Sequence, residues 1–448
     1  MNFQTDQQTL VDLSLTGKVG STSIFQLFNH TSTRGGADLL ENMFLYPMTD
    51  REAINQRSGI FQFFNTLAIT FPFKTEHLDS AELYLSMSDE RTKLGKTESS
   101  LMGKFNQLVH ADGNYQLIQH GVHSVLYLLY TMREFTSKIK GLAGATVYEQ
   151  PLQIILDWLS QPALTGIPVE ATPAKLAYSM LADYDQLIRF KNRGLMKTLL
   201  RFIYELDVYF CVSDVARKNE FSYPVALSGE GQIIKIKQFY HPLVRKAVGN
   251  DLTIDPSANI VFLTGANMAG KSTFMKSLSI AIYLAHMGFP VPAKHMEFSV
   301  RDGMYTTINL PDDLGAGTSH FYAEVLRLKK IAKEISAGKK LFVVFDELFR
   351  GTNVKDACEG TIAVTTAFAA KKNCMYVVSS HITEAGEALK ERCSNINFVY
   401  LPSIMNGDKP SYTYQLKTGI TADRHGMTII NNERILEIIR SRNAKIKR

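Results

Sequence analysis

Gly265-Ala266-Asn267-Met268-Ala269-Gly270-Lys271-Ser272 fits the spacing GxxxxGKS. It follows the apolar run Ile-Val-Phe-Leu-Thr and precedes the helix-compatible run Thr-Phe-Met-Lys-Ser-Leu-Ser-Ile-Ala-Ile-Tyr. In a strand–loop–helix setting the glycines let backbone N–H groups turn inward around phosphates, at a helix N-terminus whose partial positive charge favours an anion. Lys271 is then placed to bridge the β- and γ-phosphates of a nucleotide, and the Ser272 hydroxyl to ligate magnesium. The competing reading is a glycine-rich turn that matches by chance, which leaves the strand, the helix and the terminal GKS in register unexplained. Farther on, Lys340-Leu-Phe-Val-Val-Phe-Asp346-Glu347 is an apolar run ending in two acids. An Asp at a strand end can hold magnesium through water, and the adjacent Glu can take a proton from an attacking water; the plainer alternative is that the pair caps the next helix. His381 follows the β-type run Met-Tyr-Val-Val-Ser-Ser, where it can touch a γ-phosphate, although alone it reads as an ordinary surface histidine.

These residues need elements to hold them. Beyond Pro224 short β-rich runs (QIIKIKQF, NIVFLTG, LFVVFDE, CMYVVSS) alternate with helical stretches, the texture of an α/β domain. NINFVYLPS and SYTYQLKTG flank the polar turn NGDKP and read as an antiparallel pair added to the sheet. Residues 433–442 read as a terminal helix. Residues 22–217 carry apolar side chains at helical spacing. The clearest stretch, 176–210, predicts one long strut interrupted only by Gly194, and 114–140 a second helix. Residues 141–173, punctuated by glycine and proline, predict a shorter helix between loops. The expectation is an all-α domain, 1–225, followed by an α/β domain, 226–448.

Composition narrows the class. With 448 residues, 45% hydrophobic, 21% charged and only 14 prolines, the chain is a folded protein of two or three domains, not a disordered tail or a fibre. The longest uncharged apolar stretch, 277–293, is broken by His286, Pro290 and Pro292, which argues against a membrane span. The N-terminus lacks the charged and apolar regions of a secretory signal, so the expected compartment is the cytoplasm. Cys211, Cys358, Cys374 and Cys393 have no paired spacing and read as buried thiols. The net charge of +6 is unevenly distributed: residues 1–225 hold 20 basic and 23 acidic side chains, the remainder 29 and 20. The helical half is therefore no obvious electrostatic sleeve for DNA.

In order along the chain, TGANMAGKST, DDLGAGTSHFYAEV, FDELFRGTN and SSHITEA resemble the ATPase domain of the MutS family, a branch of the ABC-type ATPases. Upstream, Phe239-Tyr240-His241-Pro242 and Val248-Gly249-Asn250-Asp251 resemble the family's lead-in to its P-loop, the run SIFQLFNHTSTRGGADLLENMFLYPMTDREAINQR the start of its helical core, and the segment ELDVYFCVSDVARKNEFSYP the point where its long helices return to the ATPase. The resemblance implies an all-α lever domain feeding an ABC-type α/β P-loop ATPase domain with a mixed sheet. It implies ATP and Mg2+ held by Gly265, Ala266, Asn267, Met268, Ala269, Gly270, Lys271, Ser272 and Thr273, with metal ligation by Ser272 and Asp346. Glu347 would be the catalytic base, His381 the γ-phosphate sensor and Lys271 the charge stabiliser, while Ser319 would reach the nucleotide of the partner in a homodimer. Arg350, Gly351 and Thr352 would belong to the loop joining the two subunits.

The same resemblance implies double-stranded or branched DNA as a partner. The alternative is a conformational switch acting on protein or ribosomal partners without DNA. The family's mismatch-probing and connector domains have no counterpart in these residues, the clamp is expected to be reduced or absent, and no nuclease module is seen. An ABC transporter subunit is disfavoured because there is no LSGGQ-type signature. Three departures stand out. Ala247 sits where the family places an aromatic residue to stack on adenine, leaving Phe239 or Tyr240 as substitutes; Ala266 and Ala269 replace a proline and a glycine of the loop; Phe349 replaces a glycine and is either partner-facing or packed.

Overall fold

The computed structural model describes residues 3–17, 22–94, 112–144, 146–167, 176–229, 231–309, 320–406, 409–421 and 434–440. The chain divides into two compact units. One comprises Phe28–Met43 and Gly59–Val215, the other Met1–Leu27, Phe44–Ser58 and Ala216–Arg448.

The first unit is helical, built around the helices Thr75–Ser86, Asp112–Ala143, Glu149–Leu159, Tyr178–Asp185 and most of Arg193–Asn219. Its core is aliphatic and aromatic, including Phe64, Val122, Leu129, Trp158 and Ile203. Helices Thr75–Ser86 and Asp112–Ala143 approach closely at Gly121, where an added Cβ would lie 2.3 Å from the Cβ of Tyr84. The strut expected over 176–210 is not continuous. It runs as α-helix to Asp185, as π-helix over Gln186–Lys191, and resumes as α-helix at Arg193, with Asn192 at φ −125. The interruption coincides with a fully buried ion pair. Asp185 accepts from Arg189 Nε (2.9 Å) and Nη2 (2.8 Å) and from the Tyr84 hydroxyl (2.8 Å), while Arg189 Nη1 donates to Thr92 Oγ1 (2.8 Å). Neither ion can be left unmatched in that interior, so the backbone adjusts around the pair. The punctuated segment after residue 141 holds two helices, Glu149–Leu159 and Pro162–Thr165; residues 168–175 lie outside the described residues.

The second unit carries the strands: β1 (Val225–Ala226), β2 (Ile234–Phe239), β3 (Asn250–Ile254), β4 (Ile260–Gly265), β5 (His295–Phe298), β6 (Gly303–Thr307), β7 (Leu341–Asp346), β8 (Met375–Ser379), β9 (Ile396–Leu401), β10 (Ser403–Asn406), β11 (Lys409–Tyr412) and β12 (Lys417–Thr418). They form a four-stranded sheet β1-β5-β2-β3, a hairpin β10-β11 and a six-stranded mixed sheet β12-β9-β4-β8-β7-β6. In the large sheet β9, β4, β8, β7 and β6 are parallel, and β12 pairs antiparallel with β9 through Tyr400 and Lys417. The expected antiparallel addition therefore takes two forms, this edge pair and the separate hairpin.

Strands β4 and β8 are buried along their whole length, which is why they read as uninterrupted apolar runs. Their core partners include Phe345, Phe368, Ala385 and Leu389. Segments remote in sequence complete this unit. The Asn55 side chain exchanges two 2.9 Å hydrogen bonds with the backbone of Ala226, and Arg57 Nη1 donates to Met287 O (3.0 Å). The terminal helix spans Ile435–Arg440, the rest of residues 433–442 lying outside the described residues apart from Arg434. None of the four cysteines forms a disulfide; Cys211 and Cys374 are buried as expected, whereas Cys358 and Cys393 are only half-buried, and among the described residues no helix is long and apolar enough to cross a membrane.

Candidate active site

Parallel strands deliver their C-terminal ends to one edge of a sheet, the usual place for a ligand. Neighbouring β4, β8 and β7 end at Gly265, Ser379 and Asp346, and the register sets Leu263 and Asp346 each opposite Ser379. The chain after β4 turns through a loop in which Gly265 (φ 154), Met268 (φ 69) and Gly270 (φ 98) take positive φ. Ala266 and Ala269 stay out of that region, so the two alanines cost the loop no strain. Asn267 and Met268 are exposed at its tip, and the helix Lys271–His286 begins directly after it.

Lys271 is buried beneath the loop. Its Nζ donates to Gly265 O (3.0 Å) and Ala266 O (3.3 Å) and lies 3.4 Å from both ring nitrogens of His381. Burial lowers its pKa, while the Glu347 and Asp346 carboxylates act in the opposite direction. Ser272 Oγ donates to Asp346 Oδ2 (2.6 Å), and Ser379 Oγ donates to the other carboxylate oxygen. The first helical turn thus places a hydroxyl oxygen against the acid at the end of β7, a pair of hard oxygen donors of the kind magnesium takes. Among the described residues no cluster of three His, Cys, Asp or Glu side chains is arranged to hold a metal alone, so such a site would be completed by nucleotide and water.

Glu347 takes φ 56, and its N–H is held by Ser379 O and Oγ, both at 3.2 Å. This non-glycine left-handed turn re-aims the chain as it leaves the strand. The Glu347 carboxylate contacts His381 Nε2 and lies 3.9 Å from Arg350 Nε. Burial works against its ionisation, but His381, Lys271 and Arg350 outweigh burial and set its pKa below the ordinary glutamate value. A ring that donates from Nε2 to Glu347 has Nδ1 free to accept from Lys271, so lysine, imidazole and carboxylate form one continuous polar chain.

Beside the loop is a cavity of about 360 Å³, lined by Val244, Ala247, Val248, Ala269, Leu401 and Tyr414 among others. Ala247 does line it. Neither aromatic substitute does: Phe239 is buried with its ring 5.1 Å from Phe274, and the Tyr240 hydroxyl donates to Asn219 O (3.0 Å). Phe274, which is buried, and Tyr414, which is exposed, also line this cavity; the Tyr414 ring sits against Gly270, where an added Cβ would be 3.0 Å from Tyr414 Cδ1. Asn250 staples it in place by donating to Tyr414 O (3.0 Å) and accepting from Leu416 N (2.7 Å). Tyr414 was hidden in sequence because it is remote from the loop; the only signal was its place in the Tyr-rich run after a turn.

Phe349, at φ 65, is packed inside the unit, its ring 5.9 Å from that of Phe321 and within 2.8 Å of where a Cβ on Gly360 would stand. Arg350 is exposed, Thr352 half-buried, and Gly351 backs onto Phe321. Thr273 is exposed one residue beyond Ser272. Ser319 lies outside the described residues.

A helical unit is thus joined to a mixed α/β unit in which strand-end side chains converge on one glycine-rich loop. Residues 261–447 match the family model described as MutS domain V. The chain is 27% identical over 269 residues to the DNA mismatch repair protein MutS of Listeria monocytogenes, covering 59% of this chain and 31% of that protein. It is 32% identical over 230 residues to the protein of the same name from Fusobacterium nucleatum, covering 50% of this chain and 24% of that protein. Over residues 261–447 the chain is similar to domain V of the MutS family. It spans about a quarter to a third of the length of these relatives.

Proposed function

We propose that this chain is a P-loop ATPase of the ABC type, which hydrolyses ATP with Mg2+ at composite sites in a homodimer. The observation that carries this reading is the convergence of Lys271, Ser272, Asp346, Glu347 and His381 at the ends of three adjacent parallel strands. The loop amides and Lys271 hold the phosphates and stabilise the charge that spreads over the γ-phosphate oxygens as water attacks in line. Ser272 and Asp346 hold magnesium, which neutralises phosphate charge when bound. Glu347 is ionised at neutral pH and orients and deprotonates the attacking water, with His381 beside it as γ-phosphate sensor. Asn267, exposed at the loop tip, faces the γ-phosphate side, and the cavity beside Tyr414 takes the adenine. Ser319 comes from the partner copy, with Arg350, Gly351 and Thr352 at the junction.

Hydrolysis moves the helical unit as a lever, in DNA repair or recombination surveillance, with duplex or branched DNA held through phosphate contacts and without mismatch readout. The excess of acidic over basic side chains in residues 1–225 favours a second reading, a cytoplasmic switch acting on a protein or ribosomal partner. DNA affinity that falls steeply with salt separates the first from the second, for which binding is weak and flat. Glu347→Gln tests the chemistry: ATP remains bound while kcat falls by about 100-fold or more. Unchanged turnover in that variant overturns the base assignment.

A further inference from the structure

Strand β8 lies between β4 and β7, and its last residue, Ser379, is the register partner of both Leu263 and Asp346. The four residues before it, Met375, Tyr376, Val377 and Val378, are buried, and Ser379 is buried with them. A hydroxyl in such an interior needs protein partners for its proton and its lone pairs. Ser379 Oγ donates to Asp346 Oδ1 and accepts from Glu347 N (3.2 Å). One side chain thus holds both acids of the candidate active site, the first by its proton and the second by its oxygen.

Asp346 is gripped at both carboxylate oxygens. Oδ2 accepts from Ser272 Oγ (2.6 Å) and Oδ1 from Ser379 Oγ, so the carboxylate cannot turn about its Cβ–Cγ bond without breaking one of the two. Hydrogen bonds to an ionised acceptor are shorter and about twice as strong as neutral ones, so this grip is firm. Glu347 sits at φ 56, a backbone region that a residue with a Cβ keeps only when its surroundings hold it there. Its N–H has two acceptors, Ser379 O and Ser379 Oγ, both at 3.2 Å. Both come from the same residue, and the hydroxyl is the one that a substitution removes. The next serine has other partners: Ser380 N donates to Leu263 O (3.1 Å), and Ser380 Oγ accepts from Ile382 N (3.0 Å) in the turn that carries His381. Among the described residues Ser380 makes no hydrogen bond to either acid.

We propose that Ser379 is a positioning residue for this site, fixing at once the Asp346 carboxylate that is placed to hold magnesium and the backbone turn that aims Glu347. The inference rests on the ATPase reading and adds to it the group that couples the two acids. Ser379 makes no hydrogen bond to Lys271 or to the loop 265–270 among the described residues, so its effect falls on the metal and on the attacking water, and phosphate binding is spared. The bland alternative is a strand-end hydroxyl that merely satisfies itself and contributes to stability alone.

The full chain carrying Ser379→Ala is compared with Ser379→Thr, which keeps the hydroxyl, and with Ser380→Ala, which removes the neighbouring one. Hydrogen exchange, ATP binding with and without magnesium, and steady-state ATPase kinetics are measured on each. For Ser379→Ala exchange over residues 346–349 should be faster. The magnesium affinity of the ATP-bound chain and kcat should each fall by about 10- to 100-fold, the usual cost of removing a group that orients a metal ligand. ATP affinity without magnesium should change by less than about twofold. Ser379→Thr should recover most of both losses, and Ser380→Ala should leave magnesium affinity and exchange over 346–349 within about twofold of the unmodified chain. Unchanged magnesium affinity and kcat in Ser379→Ala, with or without a lower melting temperature, overturn the proposal. So does an equal loss of magnesium affinity in Ser380→Ala, which assigns the effect to a loosened strand end and not to the Ser379 hydroxyl. If the unmodified chain neither binds nor turns over ATP, the ATPase reading fails, while exchange over 346–349 still decides whether Ser379 holds the two acids. Should Ser379→Ala not fold, Ser379→Cys, close in size and a weaker donor, carries the same comparison.

Discussion

Of Phe274 and Tyr414, which both line the cavity beside the glycine-rich loop, only Tyr414 is exposed, so Tyr414→Ala isolates what base stacking on that ring contributes to nucleotide affinity. Stacking a base on an aromatic side chain is worth roughly 1–3 kcal/mol by alanine substitution. Tyr414 is 46% exposed, which places it in the lower part of that range. A loss of about 1–2 kcal/mol corresponds to ATP binding some 5- to 30-fold weaker. The substitution is clean because the segment is stapled through backbone atoms: Asn250 bonds Tyr414 O and Leu416 N, neither of which the change removes. Alanine also inherits the same φ of 56, so no new backbone strain arises. Isothermal titration at fixed magnesium should show ATP and ADP losing affinity by the same factor and tripolyphosphate losing none, and Tyr414→Phe should bind like the unmodified chain. A loss below twofold, or an equal loss for tripolyphosphate, refutes the placement of the base in this cavity.

Two further expectations concern stability. A Cβ at Gly360 would stand 2.8 Å from Phe349 Cδ2, so Gly360→Ala should destabilise by about 1–3 kcal/mol in denaturant titration, and adding Phe349→Leu should recover part of it. His286 is fully buried, its Nδ1 bonded to Ile282 O (2.8 Å) and its Nε2 accepting from Arg301 N (2.9 Å), and burial depresses its pKa to about 3. The unfolded chain takes up that proton near pH 6.5 and the folded one does not, so the contribution is complete above that pH and is lost as pH falls toward 3. Equilibrium unfolding between pH 7 and 4 should therefore show a steeper fall for the unmodified chain than for His286→Gln, and equal slopes would contradict the assignment.

Much of the site was legible because its parts sit next to strong local signals. Lys271 and Ser272 lie in a fixed-spacing loop, and Asp346, Glu347 and His381 each follow an apolar run long enough to be a buried strand. What periodicity cannot carry is long-range pairing. Asn250 and Tyr414 are joined only by folding, and nothing in the polar, unremarkable composition of residues 4–12 tells that Asp12 reaches Ile308. The π-helical turn was invisible for a different reason: Tyr184, Leu187, Ile188 and Leu195 keep an acceptable helical spacing through it, and the buried Asp185–Arg189 pair that accompanies it reads in sequence as an ordinary surface pair. Phe349 was ambiguous because an aromatic in a loop can face inward or outward; its partner Gly360 lies a turn and a half into the next helix.

That wider turn has a consequence for how this long helical run can change over time. A π-turn lodges one more residue than an α-turn without rotating the stretches that flank it. A single-residue deletion within residues 186–191 would therefore close the wider turn to an α-turn and be absorbed locally. The apolar faces carrying Leu181 before it and Leu199 after it keep their aim through such an edit, and the length of the run is decoupled from the facing of its core side chains.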